Sequence, residues 1–142
     1  NMVDTASATP MIKAAARLKK AQSERKSLLR DRAFLEARAA LAQEPGGKPL
    51  LFRLRDRDAE AATEGAKALS DLGGLGIFVS MDEMTVCAAG PKDGPDIAAL
   101  LAPAAAAMGG RGGGRGVFFR ASFAEPRLLE EFLAESMNIL QN

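Results

Sequence analysis

The chain has 142 residues and a formal charge of +1, with 47% hydrophobic and 26% charged residues, the balance of a soluble globular domain with room for one core. His, Trp and Tyr are absent and Cys occurs once, which excludes an internal disulfide, a zinc site built from Cys and His, and the commonest general base. The longest apolar run, Ile97 to Met108, is broken by Pro103 and falls far short of a membrane span; with one thiol and no signal-peptide pattern, the expected location is cytoplasmic and the expected partners include no membrane.

Asn1-Met2 reads as a cut edge, so the chain is expected to be a piece of a longer protein. Residues 1–10 read as a disordered lead, with Thr9 capping a helix that has Pro10 at its first position. Residues 11–44 read as a basic helical arm. No Gly or Pro occurs from Met11 to Gln43, and Ala, Leu, Lys and Arg dominate. Residues 11–43 hold nine basic side chains and three acidic ones. Ala14, Ala21, Leu28, Leu35 and Ala42 recur every seven residues, with Met11, Leu18, Arg25, Arg32 and Ala39 at the partner positions. A seam so narrow, with two Arg in it, is no self-sufficient coiled coil, and it predicts packing on another helix.

Glu44-Pro45-Gly46-Gly47 stops the helix, and residues 48–142 read as a second region of α/β character. Leu50 to Leu54 predicts a strand and Arg57 to Leu72 a helix ended by Gly73-Gly74. Leu75 to Ser80 and Met84 to Ala89 predict two strands joined by a tight turn, hence an antiparallel hairpin. Asp96 to Met108 predicts a helix, Gly109 to Gly116 a glycine-rich connecting loop, Val117 to Ala121 a last strand and Glu125 to Leu140 a last amphipathic helix. The fold class is α+β: a long basic N-terminal helix followed by a small mixed β-sheet packed with helices. No internal repeat is present.

Chemistry concentrates in the glycine-rich segment. Five of the residues from Gly109 to Arg115 are Gly: Gly109, Gly110, Gly112, Gly113 and Gly114. Without Cβ atoms, backbone N–H groups can come close to an anion. Arg111 and Arg115 add planar forks that suit phosphate, and Arg120 follows a few residues later. A flexible connector, with Gly109 capping the preceding helix, explains the same residues about as well. No Gly-Lys-Ser/Thr closes the segment, so it is not a Walker loop, and it does not join a strand to a following helix as a dinucleotide fingerprint does. On the arm, Lys19, Lys20 and Lys26 are the candidate RNA contacts, weighed against a merely solvated face. Phe118 and Phe119 follow the basic segment, and one of them is expected in the core; the other, or Phe123, is free to stack on a base. Cys87, in an apolar strand, is expected to be buried and inert. Asp56, Asp58 and Glu60 read as helix N-terminal acids rather than a metal site.

The run Gly109-Gly110-Arg111-Gly112-Gly113-Gly114-Arg115 resembles the signature Gly-Gly-Lys-Gly-Gly-Gly-Arg of the domain that ends alanyl-tRNA synthetases, a domain type also found in DHH-type phosphoesterases. Thr85 to Gly90 resembles the strand before that signature, Asp96 to Met108 its leading helix and Glu125 to Met137 its closing helix. Synthetases typically continue with Pro-Asp and later a Gln; here Gly116 and Val117 follow and Arg120 stands near the Gln position, which is closer to free-standing alanyl-tRNA editing proteins. The phosphoesterases carry a His in or after the glycines, and this chain has none. The resemblance implies a non-catalytic accessory domain that binds the alanine tRNA near its elbow and contributes to a homodimer through the N-terminal helix. It implies that zinc, and the removal of wrongly attached Ser or Gly, belong to an editing domain outside this chain, with no cofactor here. The equivalent domain of a synthetase is the alternative; a pure oligomerisation module and a phosphoesterase substrate-binding domain stand behind it.

Overall fold

The computed structural model describes the backbone of residues 2–43 and 48–141 and the side chains of residues 14–43 and 48–141. Its first element is the helix α1 (Met2–Gln43). α1 takes in residues 2–10, where the sequence predicts a disordered lead, so Pro10 lies inside the helix and not at its start. Pro10 removes one backbone bond there, and Ala6 and Ala8 ahead of it are strong helix formers. The stop expected at residues 44–47 lies outside the described residues.

Strand β1 (Leu50–Leu54) leads into helix α2 (Ala59–Asp71). Asp58 caps α2, its side chain accepting from the Ala61 N–H at 3.1 Å. The Gly73-Gly74 stop holds: Gly74 N–H donates to the Leu69 carbonyl at 2.8 Å, and Gly73 has φ +77°. Strands β2 (Gly76–Ser80) and β3 (Thr85–Ala89) form the expected antiparallel hairpin. Helix α3 (Ile97–Ala107) starts at Asp96, whose carboxylate accepts from the Ala99 N–H at 3.1 Å. Strands β4 (Arg111–Arg115) and β5 (Phe118–Ser122) and helix α4 (Pro126–Gln141) complete the chain.

The five strands form one mixed sheet in the order β1-β2-β3-β5-β4. β1 and β2 run parallel with α2 as their crossover, and every other pair is antiparallel. Strand alternation divides the core between two faces. Ile77, Val79, Val86, Ala88, Phe119 and Ala121 pack with Ile97, Leu101, Leu129, Phe132 and Leu133 of α3 and α4. Phe78, Cys87, Ala89 and Leu54 pack with Ala61, Ala62, Ala66 and Leu69 of α2 and with Ala37 of α1. Cys87 is fully buried, as expected, and burial pushes its thiol above the ordinary value against the pull of the Thr63 hydroxyl and the Arg120 charge.

The Gly109–Gly116 segment is not a loop. Five of its residues, Arg111–Arg115, form the edge strand β4, paired with β5 in the register Arg111↔Ser122, Gly113↔Arg120 and Arg115↔Phe118. Hydrogen bonding to β5 sets this conformation, not the propensity of glycine, which disfavours strands. A Cβ at Gly112 would run into the backbone of Arg120 and Ala121, and one at Gly114 into that of Phe118 and Phe119. Glycine is what permits so close a pairing.

α1 divides into two halves. Every residue from Ala14 to Leu28 is exposed. Farther on, Leu29, Ala33, Ala37 and Leu41 pack against the domain. That ridge has a four-residue spacing, so the apolar residues of the seven-residue seam are not what docks: Leu28 and Leu35 are 69% and 64% exposed. No helix among the described residues is long and apolar enough to cross a membrane.

Candidate nucleic-acid interface

β4 closes the sheet on one side, so its outer edge carries unpaired backbone groups over five exposed residues. Residues opposite each other in an antiparallel pair project to the same side. The register therefore sets Arg111 and Arg115 on the side of the sheet shared by Arg120 and Phe118, the side covered by α1 and α2. Gly113 stands between the two Arg and opposite Arg120, and a Cβ there would meet nothing within 4 Å. The glycine thus leaves open space among three guanidinium-bearing positions. Arg111, Arg115 and Arg120 are all exposed, and none of them is within ion-pair distance of a carboxylate among the described residues. Arg120 is oriented by α2: its Nη1 donates to the Thr63 hydroxyl at 3.2 Å. Gly109, at the end of α3, has φ +73°, and Gly110 N–H donates to the Ala105 carbonyl at 2.8 Å. These two glycines turn the chain from α3 into β4.

Of the arm candidates, Lys26 is brought to the domain. It lines a cleft of about 340 Å³ with Thr63, Lys67 and Arg120. Asp58, Glu60, Glu64 and Glu83 line the same cleft. Glu60 and Asp58 are engaged by Arg25, each at 2.6 Å, and buried Glu64 by Arg30 at 3.5 Å. Burial pulls the Asp58 carboxyl up, but the Ala61 N–H and the Arg25 guanidinium outweigh it and hold the group below its ordinary range. The same contacts, led by the bond to Asp58, raise Arg25 further above its already high value. Lys19 precedes Lys26 by seven residues, two helical turns, and so shares its side of α1. Lys20 is about 100° farther round the helix than Lys19, on a different side of α1 from Lys26.

Arg25 is legible in the sequence as an oddity of the seam, but its role is not: it docks α1 on α2 through acids more than thirty residues away. Arg32 bonds Glu36 at i,i+4, and Glu36 also accepts from Arg57 at 3.0 Å. Phe119 and Phe123 are buried, and Phe123 packs on Phe132 with ring centroids 4.9 Å apart. The expectation that Phe123 stacks on a base is thereby overturned. Phe118 is half-buried on the other face. Among the described residues no group of three or more His, Cys, Asp or Glu could hold a metal ion.

The fold has a counterpart among solved structures. The fold resembles that of the C-Ala domain of the Aquifex aeolicus alanyl-tRNA synthetase. The TM-score is 0.54 at 16% sequence identity, covering 68% of this chain and 95% of that one. At such identity the likeness is one of fold. No protein-family model matches the chain, and no curated protein does.

Proposed function

We propose that this chain is a tRNA-binding accessory domain, with the phosphate backbone held by Arg111, Arg115 and Arg120 and by Lys19 and Lys26 of α1. One observation carries the reading: an exposed glycine edge strand with an Arg at each end and a third Arg across from its open centre, on a fold similar to a C-Ala domain. Backbone N–H groups, guanidinium forks and absent side chains are what a phosphate contact needs. Catalysis belongs to the parent protein, an alanyl-tRNA editing protein whose zinc-bearing domain removes Ser or Gly from alanine tRNA. Gly116, Val117 and Arg120, following the glycines, favour that parent. A synthetase parent is the second reading, and the fold likeness to a synthetase domain favours it. The exposed seam of Leu28 and Leu35 is the surface we assign to pairing with a second copy.

The test is a titration of the chain with unmodified alanine tRNA at two salt concentrations, beside the double variant Arg111→Ala, Arg115→Ala. The variant folds normally, because both side chains are exposed and unpaired. Its affinity falls, and the slope of log K against log salt shrinks by roughly 0.7 to 0.9 for each phosphate no longer neutralised. Unchanged affinity and slope in a folded variant would remove the edge strand from the interface.

A further inference from the structure

Phe is the only aromatic residue of the chain, and most of its rings are taken up in the core. Phe119 and Phe123 are buried and pack on buried Phe132. Phe52 stacks on buried Phe78 with ring centroids 4.2 Å apart. Phe34 lies on α1, in a cleft lined by Arg30, Asp31 and Leu35 of the same helix. Phe118, on β5, is different. It is half-buried, and among the described residues it pairs with no other ring.

The neighbours of Phe118 on the sheet are small or cationic. Ala89 stands opposite it on β3 and Arg115 opposite it on β4. Arg120 follows two residues later on the same strand, and so on the same side of the sheet. Gly113 is its diagonal neighbour on β4, and Gly116 lies in the turn just before it. A Cβ at either glycine would meet nothing within 4 Å, so open space adjoins the ring on the β4 side. Helix α2 lies over β2 and β3 on this side and touches β5 only at its margin, where Thr63 meets Arg120. The sheet edge thus presents a half-covered ring between two guanidinium-bearing positions. That combination holds a nucleotide with its base out of the helix: the π-face lies on the ring and the adjoining phosphates meet the cations. We infer that Phe118 is the stacking platform for one unpaired base of the RNA, with Arg115 and Arg120 taking the phosphates beside it. Stacking asks only for a π-face, so the contact tolerates any base. The inference rests on the RNA-binding reading above and adds a base contact to its backbone contacts.

The experiment uses the whole 142-residue chain. It is titrated at two salt concentrations with a single-stranded oligouridine of about eight nucleotides, a length that one stacking groove accommodates, and with alanine tRNA. Phe118→Leu keeps an apolar side chain on the α1–α2 side of the core and removes the π-face. It weakens oligouridine binding about tenfold, equivalent to about 1.4 kcal/mol. The slope of log K against log salt stays at the parent value, because no charge is lost. The double variant Arg111→Ala, Arg115→Ala lowers affinity and slope together, and Phe118→Tyr keeps the parent affinity. In the parent chain the Phe118 ring-proton resonances move upfield on adding the oligouridine, in the ring current of the stacked base, and those of Phe132 do not; this readout stands even if the Leu variant does not fold. Parent affinity in a folded Phe118→Leu chain, ring resonances that stay in place, or binding of the tRNA without the oligouridine overturns the inference and leaves RNA binding standing. Failure of both RNAs to bind at low salt overturns the RNA reading itself, and this inference with it.

Discussion

On the α3–α4 side the sheet is closed by large side chains: Phe119, Phe123 and Phe132 with Ile77, Ile97, Leu101 and Leu129. On the α1–α2 side the helix residues that reach the core are mostly Ala, and charge takes over at the margin. There Arg25 forks to Asp58 and Glu60, Arg30 reaches Glu64, and Arg57 reaches Glu36. The first face is held by removal of apolar area from water, which ordinary salt barely affects. The second allows close helix approach through small residues and adds ion pairs worth about 0–1 kcal/mol each when exposed, all weakened by salt. One sheet thus has a face that anchors the fold and a face that holds an arm loosely.

The largest expected effect tests the anchoring face. Phe132→Ala removes a fully buried ring that touches Phe119 and Phe123, and costs about 3–5 kcal/mol in urea unfolding. A cost near zero would make the two faces equivalent and end the comparison. Next comes the close approach on the arm side. Ala37 is fully buried where α1 meets the domain, so Ala37→Leu overpacks that contact and costs about 1–3 kcal/mol. A stabilised variant would show the arm contact to be underfilled rather than close.

The smallest effect tests the polar margin. Asp58→Ala removes the α2 cap and the Arg25 partner together and costs about 1 kcal/mol near neutral pH. The Asp58 carboxyl sits below its ordinary range when folded, so its ionised form stabilises the fold at pH above the unfolded value of about 3.9, and that contribution is lost as pH falls through that value and below. The gap between parent and variant therefore narrows as acid is added. A gap that widens in acid would contradict the assigned ionisation.

Strand, helix and hairpin order are legible in the sequence because each element carries its own pattern. The inner Ala and Leu of α2, the apolar stripe of α4 and the short turn between β2 and β3 are local signals. The capping acids Asp58 and Asp96 also stand where a helix start is expected. β4 is not legible as a strand, since Arg-Gly-Gly-Gly-Arg has neither alternation nor β-propensity and its conformation comes from pairing with β5. The basic site is half legible. Residue types pick out Arg111, Arg115 and Arg120, but sequence cannot say that Gly113 opens opposite Arg120 or that Lys26 and not Lys20 meets the domain. It also cannot separate Arg25, which is spent on α2, from the free cations, because its partners are remote in the chain.

α1 passes without a break from its docked half to its exposed half. Mechanically that makes it a lever: the 11 residues from Ala14 to Glu24 extend about 16 Å beyond a fulcrum that runs from Ala37 and Ala33 to the Arg25 ion pairs. Because the helix has no hinge of its own there, any load caught by the outer half arrives at the fulcrum as torque. Small alanine side chains resist it with little interlocking, so the angle of the arm, and with it the position of whatever the arm carries, depends also on the ion pairs of Arg25 and Arg30 with α2.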